Sequence, residues 1–81
     1  MIFANGKLYT VVDHVIAKNL KRGIRLEWIE AVMNEPERLE ISESSAYEIY
    51  IGHVMGRTQP LFVDVDEYES QIVTVYFLDP H

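Results

Sequence analysis

The sequence predicts an α+β protein in which two N-terminal helices pack on a three- to four-stranded antiparallel β-meander. Between residues 13 and 34, apolar side chains recur every three or four positions, which is the spacing of one helix face. After Pro36 they alternate with polar side chains, which is the spacing of strands, and short polar turns separate the alternating runs. Strands joined by short turns pair antiparallel. Eighty-one residues without a linker predict a single domain, residues 1–81.

The first helix is predicted from Asp13, which is suited to be its N-cap, to about Arg22. Gly23 follows at the position where helices often end in the left-handed conformation. One apolar stripe of this helix is expected to be buried, formed by Val12, Ile16 and Leu20.

The second helix is predicted from about Leu26 to Asn34. It ends before Pro36 because the residue that precedes a proline avoids the helical region. Its expected apolar face consists of Trp28, Ile29, Val32 and Met33.

The strands of the meander are predicted from the alternating runs that follow. The predicted runs are a short edge strand Arg38–Ser42 and the strands Tyr47–Val54, Leu61–Asp66 and Gln71–Leu78. The turns are expected at Gly56-Arg57 and over Glu67–Ser70. One sheet face should cover the helices, and the other should be open to water or to a partner. The residues expected on that open face are Tyr50, Phe62, Thr74 and Tyr76.

The net charge of −6 is unevenly distributed along the chain. Residues 1–25 contain five basic side chains against Asp13 alone, whereas residues 26–81 contain only two basic side chains against twelve acids. An acidic body repels nucleic acid, but one basic end can still bind a phosphate or an oppositely charged protein.

Cysteine is absent, so neither a disulfide nor a thiolate metal site stabilises this small domain. We therefore expect a homo-oligomer or a tight protein partner. No segment has the length and composition of a signal peptide or of a membrane span, which predicts a cytoplasmic protein without a membrane partner.

The first helix also has a candidate phosphate-binding face. His14, Lys18 and Lys21 lie within about 60° of one another at 100° per residue. Metal-independent RNA cleavage requires a base near the 2′-hydroxyl and a cation for the developing negative charge, and an imidazole with two ammonium groups supplies both. The alternative is that the lysines only form the polar face that any surface helix requires.

Two further residues are candidates for the same chemistry. Arg57 has a guanidinium group that suits a phosphate, and Tyr76 could stack on a base or donate a proton. A turn arginine and a strand tyrosine are also ordinary. The predicted catalytic set is therefore His14, Lys18, Lys21, Arg57 and Tyr76, and the predicted RNA-binding set is Lys18, Lys21, Arg22 and Arg25. Asp64, Asp66 and Glu67 form at most a weak cation site, and we expect neither a metal ion nor a cofactor.

Several short motifs resemble those of a known family. Asn19, Lys21, Gly23 and Ile24 resemble the Asn-x-x-Lys-x-Gly-Ile stretch of the BrnT-type ribonuclease toxins, although here a single residue separates Asn19 from Lys21, and Pro36 matches the proline that ends their helix. His14, with Lys18 and the Arg22-Gly23-Ile24 stretch, also resembles the opening of a small uncharacterised family beside them. The resemblance spans about Tyr9 to Leu78.

The resemblance implies a RelE-like fold, metal-independent RNA cleavage and an antitoxin protein as partner. The toxins carry an arginine in their last strand, where this chain reads Val73-Thr74-Val75-Tyr76, as the uncharacterised family does. The alternative function is therefore a non-catalytic interaction module, dimeric or partner-bound, that retains the toxin fold.

Overall fold

The computed structural model describes residues 1–42 and 47–77, except for the side chain of Leu20, and it contains six strands and two helices. In chain order they are β1 (Ile2–Ala4), β2 (Lys7–Val11), α1 (Asp13–Arg22), α2 (Leu26–Asn34), β3 (Arg38–Ile41), β4 (Glu48–Gly52), β5 (Leu61–Asp66) and β6 (Gln71–Phe77). The strands form one sheet in the order β1-β2-β6-β5-β4-β3.

The predicted fold class is wrong in two respects. A hairpin, β1–β2, precedes the helices, so the helices do not open the chain. The sheet is also mixed, because β2 pairs with β6 in parallel while every other pair is antiparallel. The protein is thus a curled, six-stranded half-barrel with two short helices, rather than two helices on a meander.

The missed hairpin turns at Asn5 and Gly6, both of which have positive φ, 53° and 77°. An Asn-Gly pair is a strong hairpin signal because these two residues accept such angles at low cost. The strands around it are short, and Ile2, Ala4 and Tyr9 are buried in the core. The first eleven residues therefore add two strands to the sheet.

Helix α1 has the predicted bounds but buries a different face. Val12, not Asp13, is the N-cap, and Asp13 lies in the first turn, where its charge favours the helix dipole. Val15 and Asn19 are buried, whereas Ile16 is 40% exposed, so the predicted buried stripe is wrong at Ile16. The side chain of Leu20 lies outside the described residues. Gly23 ends the helix with a φ of 72°, as predicted.

Helix α2 agrees with its prediction and closes the core. Ile29, Val32 and Met33 are buried, and Trp28 packs partly buried against the same cluster. At its C-terminus the Asn34 side chain accepts a hydrogen bond from the Asn5 backbone N–H (3.1 Å) and donates one to the Phe3 carbonyl (3.2 Å). The helix is therefore tied to the N-terminal hairpin.

The positions of these strands along the chain were predicted well, but the sheet face on which each residue lies was not. Strand β5 alternates as expected, with Leu61, Val63 and Val65 buried. Tyr50, however, pairs directly with Val63 and is only 6% exposed, so its place on the predicted open face is wrong. The register between strands depends on turn geometry as well as on the hydrophobic pattern, so alternation within one strand does not by itself show which residues of neighbouring strands share a face. The outer face instead carries Ile49, Ile51, Phe62, Asp64, Thr74 and Tyr76. Leu78, at the end of the predicted last strand, lies outside the described residues.

The curl of the sheet is visible at one carboxylate. Tyr9 of β2 and Tyr50 of β4 both donate hydrogen bonds to Glu67, although two other strands separate β2 from β4 in the sheet. Only a strongly curved sheet brings these strands so close. No helix in the described part of the chain is long and apolar enough to cross a membrane.

Candidate functional site

The polar side of α1 forms one wall of a small recess beside β6. His14, Lys18 and Arg22 follow one another at four-residue spacing, so they lie along one helix face. Strand β2 pairs with only the first two residues of β6. Helix α1 packs against β6. The recess has a volume of about 50 Å³ and is lined by His14, Val15, Lys18, Asn19, Arg22, Thr74 and Val75. We call it the α1–β6 recess.

A larger cleft adjoins this recess. Its volume is about 310 Å³, and Arg22, Arg57, Gln59 and Phe77 line it. Arg22 lines both spaces, and we call the two together the basic groove. Asn19 also lines a third space of about 660 Å³, whose other lining residues are Gly23, Ile24, Arg25, Leu26 and Glu27. The guanidinium of Arg57 lies 4.6 Å from the ring centre of Phe77. This contact fixes the Arg57 charge in the cleft.

The electrostatics of the groove differ from those of the rest of the chain. No acidic residue lines either space. Lys7, Arg25 and Arg38 form ion pairs with glutamates at 2.9–3.4 Å. In contrast, the residues that the structure describes provide no ion pair for Lys18, Arg22 or Arg57. In a protein of net charge −6, these cations remain available to an external anion.

The acid nearest to the groove by strand pairing is Asp64. It pairs with Thr74 on the outer face, and burial raises its pKa above the usual value.

Asn19 is the least expected member of the recess. Only 3% of the residue is exposed. Neither its amide nitrogen nor its amide oxygen has a hydrogen-bond partner among the residues described. Buried polar groups are nearly always hydrogen-bonded, because an unpaired one costs about 1–3 kcal/mol. The amide of Asn19 therefore has a donor and an acceptor that no described residue satisfies.

The structure brings together part of the predicted set. His14, Lys18 and Arg22 line the recess, and Arg57 joins them through the adjoining cleft. Lys21, which was predicted beside His14, lines neither space. The four-residue spacing along α1 selects Arg22 in its place.

Arg25 and Tyr76 lie elsewhere. Arg25 forms an exposed ion pair with Glu27 at 2.9 Å. Tyr76 stacks on Phe62 on the outer face, with 5.2 Å between ring centres. Burial raises the pKa of Tyr76, so its hydroxyl stays protonated. Neither residue lines the basic groove.

Four polar or aromatic residues of the groove were not predicted as site residues: Asn19, Gln59, Thr74 and Phe77. Asn19 could have been found from its position, since it lies one turn after Val15 on the same helix face. A polar residue at a core position indicates either a buried hydrogen bond or a ligand. The other three come from distant parts of the sequence, and no local pattern marks them.

A second polar cluster lies on the inner face of the sheet. Glu67 accepts hydrogen bonds from the hydroxyls of Tyr9 (2.8 Å) and Tyr50 (2.7 Å), and Lys7 donates to its carbonyl (2.8 Å). Burial opposes ionisation of Glu67, but hydrogen bonds from the two tyrosines and Lys7 lower its pKa on balance. Burial, with the Glu67 contact, raises the pKa of Tyr9 to about 12. Glu48 beside them has a raised pKa, chiefly through burial.

This cluster joins strands rather than surrounding a ligand, so we interpret it as a structural cross-link of the curled sheet. Within the described ranges, no three His, Asp or Glu side chains converge as metal ligands would, and Asp64, Asp66 and Glu67 form no such group.

Comparison of the chain with protein-family models, with curated proteins and with solved structures gives no match. The assignment of a function therefore depends on the groove itself and on the motifs in the sequence.

Proposed function

We propose that the chain binds single-stranded RNA through phosphates in the basic groove and cleaves it without a metal ion, as the toxin half of a toxin–antitoxin pair does. The observation that carries the proposal is the acid-free groove, which is lined by a histidine and by three cations that form no ion pair with any described residue. The motif resemblance from His14 to Ile24 supports the same class of substrate.

The proposed reaction follows from the side chains at the mouth of the recess. His14 takes the proton from a ribose 2′-hydroxyl, and the 2′-oxygen attacks the adjacent phosphorus. Lys18 and Arg22 stabilise the additional negative charge on the phosphate oxygens. The bond from phosphorus to the 5′-oxygen breaks, and water protonates that oxygen as it leaves. The products are a 2′,3′-cyclic phosphate and a 5′-hydroxyl end.

The adjoining cleft suits the unpaired base. Phe77 is partly exposed there, and Arg57 lies over its ring. The bases of single strands stack on guanidinium planes as well as on aromatic rings, and here the guanidinium of Arg57 covers the ring of Phe77. A duplex would keep its bases stacked inside and would not use this surface.

The activity is tested with purified chain, a labelled single-stranded RNA and excess EDTA. We expect cleavage with EDTA present and products that carry 2′,3′-cyclic phosphate ends, which mass spectrometry identifies. RNA that stays intact at high protein concentration would contradict the enzymatic proposal. A protein that co-purifies with the chain and blocks cleavage would be the expected antitoxin.

The groove also predicts which cations bind RNA. Arg22→Ala should weaken the binding of a single-stranded oligonucleotide more than Lys21→Ala, because Arg22 lines both spaces and Lys21 lines neither. With about three phosphate contacts, the log–log salt dependence of wild type should have a slope near −2, and loss of Arg22 should reduce it by about 0.7. Fluorescence anisotropy at several salt concentrations measures both the affinity for the oligonucleotide and the slope of its salt dependence.

The matched control for these variants is Arg25→Ala, which removes an exposed arginine that pairs with Glu27 and lines neither space of the groove. It should leave the affinity and the slope near those of wild type. Equal losses from Arg22→Ala and Lys21→Ala would show that binding follows the general charge of the helix and not the groove.

A second function, self-association, is favoured by one observation at the edge of the sheet. Leu39 and Ile41 of β3 are 52% and 71% exposed, although they extend from the inner, core-forming face of the sheet. In the described part of the chain, β3 pairs with β4 alone. An edge strand with exposed apolar side chains readily pairs with another strand.

A second copy of the chain has matching chemistry. If two β3 strands pair antiparallel with Leu39 opposite its equivalent, each Arg38 lies opposite Glu40 of the second copy. We therefore propose a two-fold dimer through β3, which would be a function independent of RNA cleavage. Wild type should then be a dimer by light scattering at micromolar concentration, and Ile41→Lys should be monomeric. Phe3→Lys, on the other edge strand, is the control and should remain dimeric. A monomeric wild type would contradict the dimer.

A further inference from the structure

We infer that the cleft beside Phe77 binds a guanine base and that Gln59 distinguishes this base from the others. The Phe77 cleft is the space of about 310 Å³ that Arg22, Arg57, Gln59 and Phe77 line. The inference rests on the proposed function in taking single-stranded RNA as the source of the base, but it concerns binding and does not require cleavage. Three features carry it: the size of the cleft, its stacking platform and the hydrogen-bonding groups of its walls.

The size of the Phe77 cleft suits a base with two fused rings. Its volume of about 310 Å³ is at the lower end of the range for small-molecule sites, about 300–1,000 Å³. A cavity of about 150 Å³ accepts benzene, which has a single ring. The α1–β6 recess, at about 50 Å³, is too small for any base. Of the two spaces in the basic groove, only the Phe77 cleft can therefore take a base.

Two aromatic rings hold the guanidinium of Arg57 in place as a platform. It lies 4.6 Å from the ring centre of Phe77 and 6.0 Å from that of Trp28. The two rings contact each other edge-on, with 6.3 Å between their centres and 69° between their planes. Arg57 as a whole is exposed, so a base can stack on the guanidinium face that does not cover Phe77. Every base has a π-face, so this platform alone does not select among bases.

Gln59 contributes an amide that is both accessible and unpaired. The residue is half-buried, and Pro60 restricts its backbone to an extended conformation. Its side chain forms no hydrogen bond with any described residue, and neither of its amide atoms is among the buried, unpaired polar atoms of the described structure. The amide therefore offers N–H donors and one oxygen acceptor to a ligand in the cleft.

The walls of the Phe77 cleft provide many donors and few acceptors. The side chains of Arg22 and Arg57 carry donors only, and no acidic residue lines the space. The oxygen of Gln59 is the one side-chain acceptor among the lining residues. Adenine and cytosine place an amine donor where guanine and uracil place a keto oxygen. The cleft therefore favours the keto bases.

Of the two keto bases, guanine matches the walls better. Its O6 and N7 are neighbouring acceptors, which a guanidinium group contacts with two parallel hydrogen bonds. Its N1–H is a donor beside O6, so the Gln59 amide can accept from N1–H and donate to O6. Uracil offers the second pair of groups but not the first. Guanine therefore satisfies an arginine and the Gln59 amide at once.

Binding of 2′-O-methylated octamers to the full chain tests the inference without cleavage, because these strands have no 2′-hydroxyl. Each octamer consists of cytidines with one central guanosine, uridine or adenosine, so the phosphate charge is the same in all. Fluorescence anisotropy at one salt concentration should show about tenfold tighter binding of the guanosine strand than of the adenosine strand, as expected for one bidentate base contact. The uridine strand should be intermediate. Equal affinities, or a preference for adenosine, would overturn the inference.

Modified bases at the central position test the individual contacts in wild type. Inosine keeps O6, N7 and N1–H and lacks only the 2-amino group, so it should bind as guanosine does. 7-Deazaguanosine lacks N7 and should bind no better than uridine. Inosine that binds as weakly as adenosine would contradict the base edge assigned to the cleft.

Gln59→Leu tests the residue that reads the base. This variant should lose the guanosine preference and keep its Tm and its affinity for an all-cytidine octamer, because the amide makes no hydrogen bond within the described structure and the phosphate-binding cations remain. Gln71→Leu is the matched control, since Gln71 is also half-buried but lines neither space of the groove. It should keep the preference. A preference that survives in Gln59→Leu, or that is lost in both variants, would overturn the role of Gln59.

A guanine base can come from an RNA strand or from a free nucleotide, and competition distinguishes the two sources. Displacement of the guanosine octamer by GMP near the Kd of the octamer identifies the free nucleotide, whereas displacement only at far higher concentrations identifies an RNA strand. AMP should displace the octamer less well than GMP in either case. Guanosine preference without cleavage of unmodified RNA would contradict the proposed cleavage alone. Cleavage of RNA by a chain that binds all octamers equally would contradict this inference alone.

Discussion

Replacing His14 with alanine should reduce the rate of RNA cleavage by about 10²- to 10⁴-fold, the usual contribution of one general base. His14 is exposed at the mouth of the recess and is not part of the core, so its loss should not affect folding. RNA affinity should change little, because the binding cations Lys18, Arg22 and Arg57 remain. The expected result is therefore a fall in kcat with a nearly constant KM.

The matched control is His53→Ala. His53 is also exposed, but it lies at the start of the β4–β5 connection, where it pairs with Glu37 (2.9 Å), and it lines neither space of the groove. This variant should cleave RNA at the rate of wild type. Far-ultraviolet circular dichroism and Tm should confirm that both variants are folded. Cleavage by His14→Ala at the wild-type rate would remove His14 from the mechanism, and growth arrest in a bacterial host should follow the same pattern.

Replacing Glu67 with alanine should destabilise the fold more than any exposed substitution. The variant leaves the hydroxyls of Tyr9 and Tyr50 without the acceptor that now binds them at 2.7–2.8 Å. Tyr9 then has no acceptor and Tyr50 keeps only its long contact to Glu48 (3.5 Å), which costs about 2–4 kcal/mol for the two largely buried donors together. For a domain of this size, 1 kcal/mol corresponds to about 4–8 °C in Tm. We therefore expect a fall in Tm of at least about 10 °C.

Glu69→Ala is the control for this prediction, since Glu69 is exposed in the same turn and contributes its backbone N–H rather than its side chain to the Asp66 contact. Its Tm should stay within a few degrees of wild type. Scanning calorimetry compares the two variants. A Glu67→Ala protein as stable as the control would show that the cross-link does not stabilise the curled sheet.

The carboxylate of Glu67 also makes the stability of the fold depend on pH. The pKa of Glu67 lies below its usual value of 4.5 in the folded chain. The stability that its ionised carboxylate contributes is therefore fully present above the usual pKa and is lost as pH falls through the lowered pKa. Glu67→Gln lacks this titration. The Tm difference between wild type and Glu67→Gln should therefore shrink from pH 6 towards pH 3.

The helices and most strands follow from local patterns, and those parts of the prediction are confirmed. The bounds of α2 and β5, the glycine end of α1 and the edge position of β3 all agree with the structure. The fold class was nevertheless wrong, because the short hairpin around Asn5-Gly6 was missed and because no local pattern shows that β2 pairs with β6 sixty residues later.

The candidate site was likewise predicted only in part from the sequence. His14 and Lys18 could be placed together from helix geometry alone. Arg57 became their neighbour only because the β4–β5 connection returns towards α1, and Asn19 became a site residue only because α1 docks through Val15 rather than Ile16.

By itself, the sequence determined where the helices and most strands begin and end, and which face of α1 collects positive charge. Spacing of 3.6 or 2 residues and turn chemistry operate over a few neighbouring positions, so they can be recognised without a structure. The tertiary structure alone decided the strand order, the curl closed at Glu67 and the basic groove between α1 and β6. These depend on contacts between distant segments, whose relative placement is fixed by burial of the whole core rather than by any local pattern.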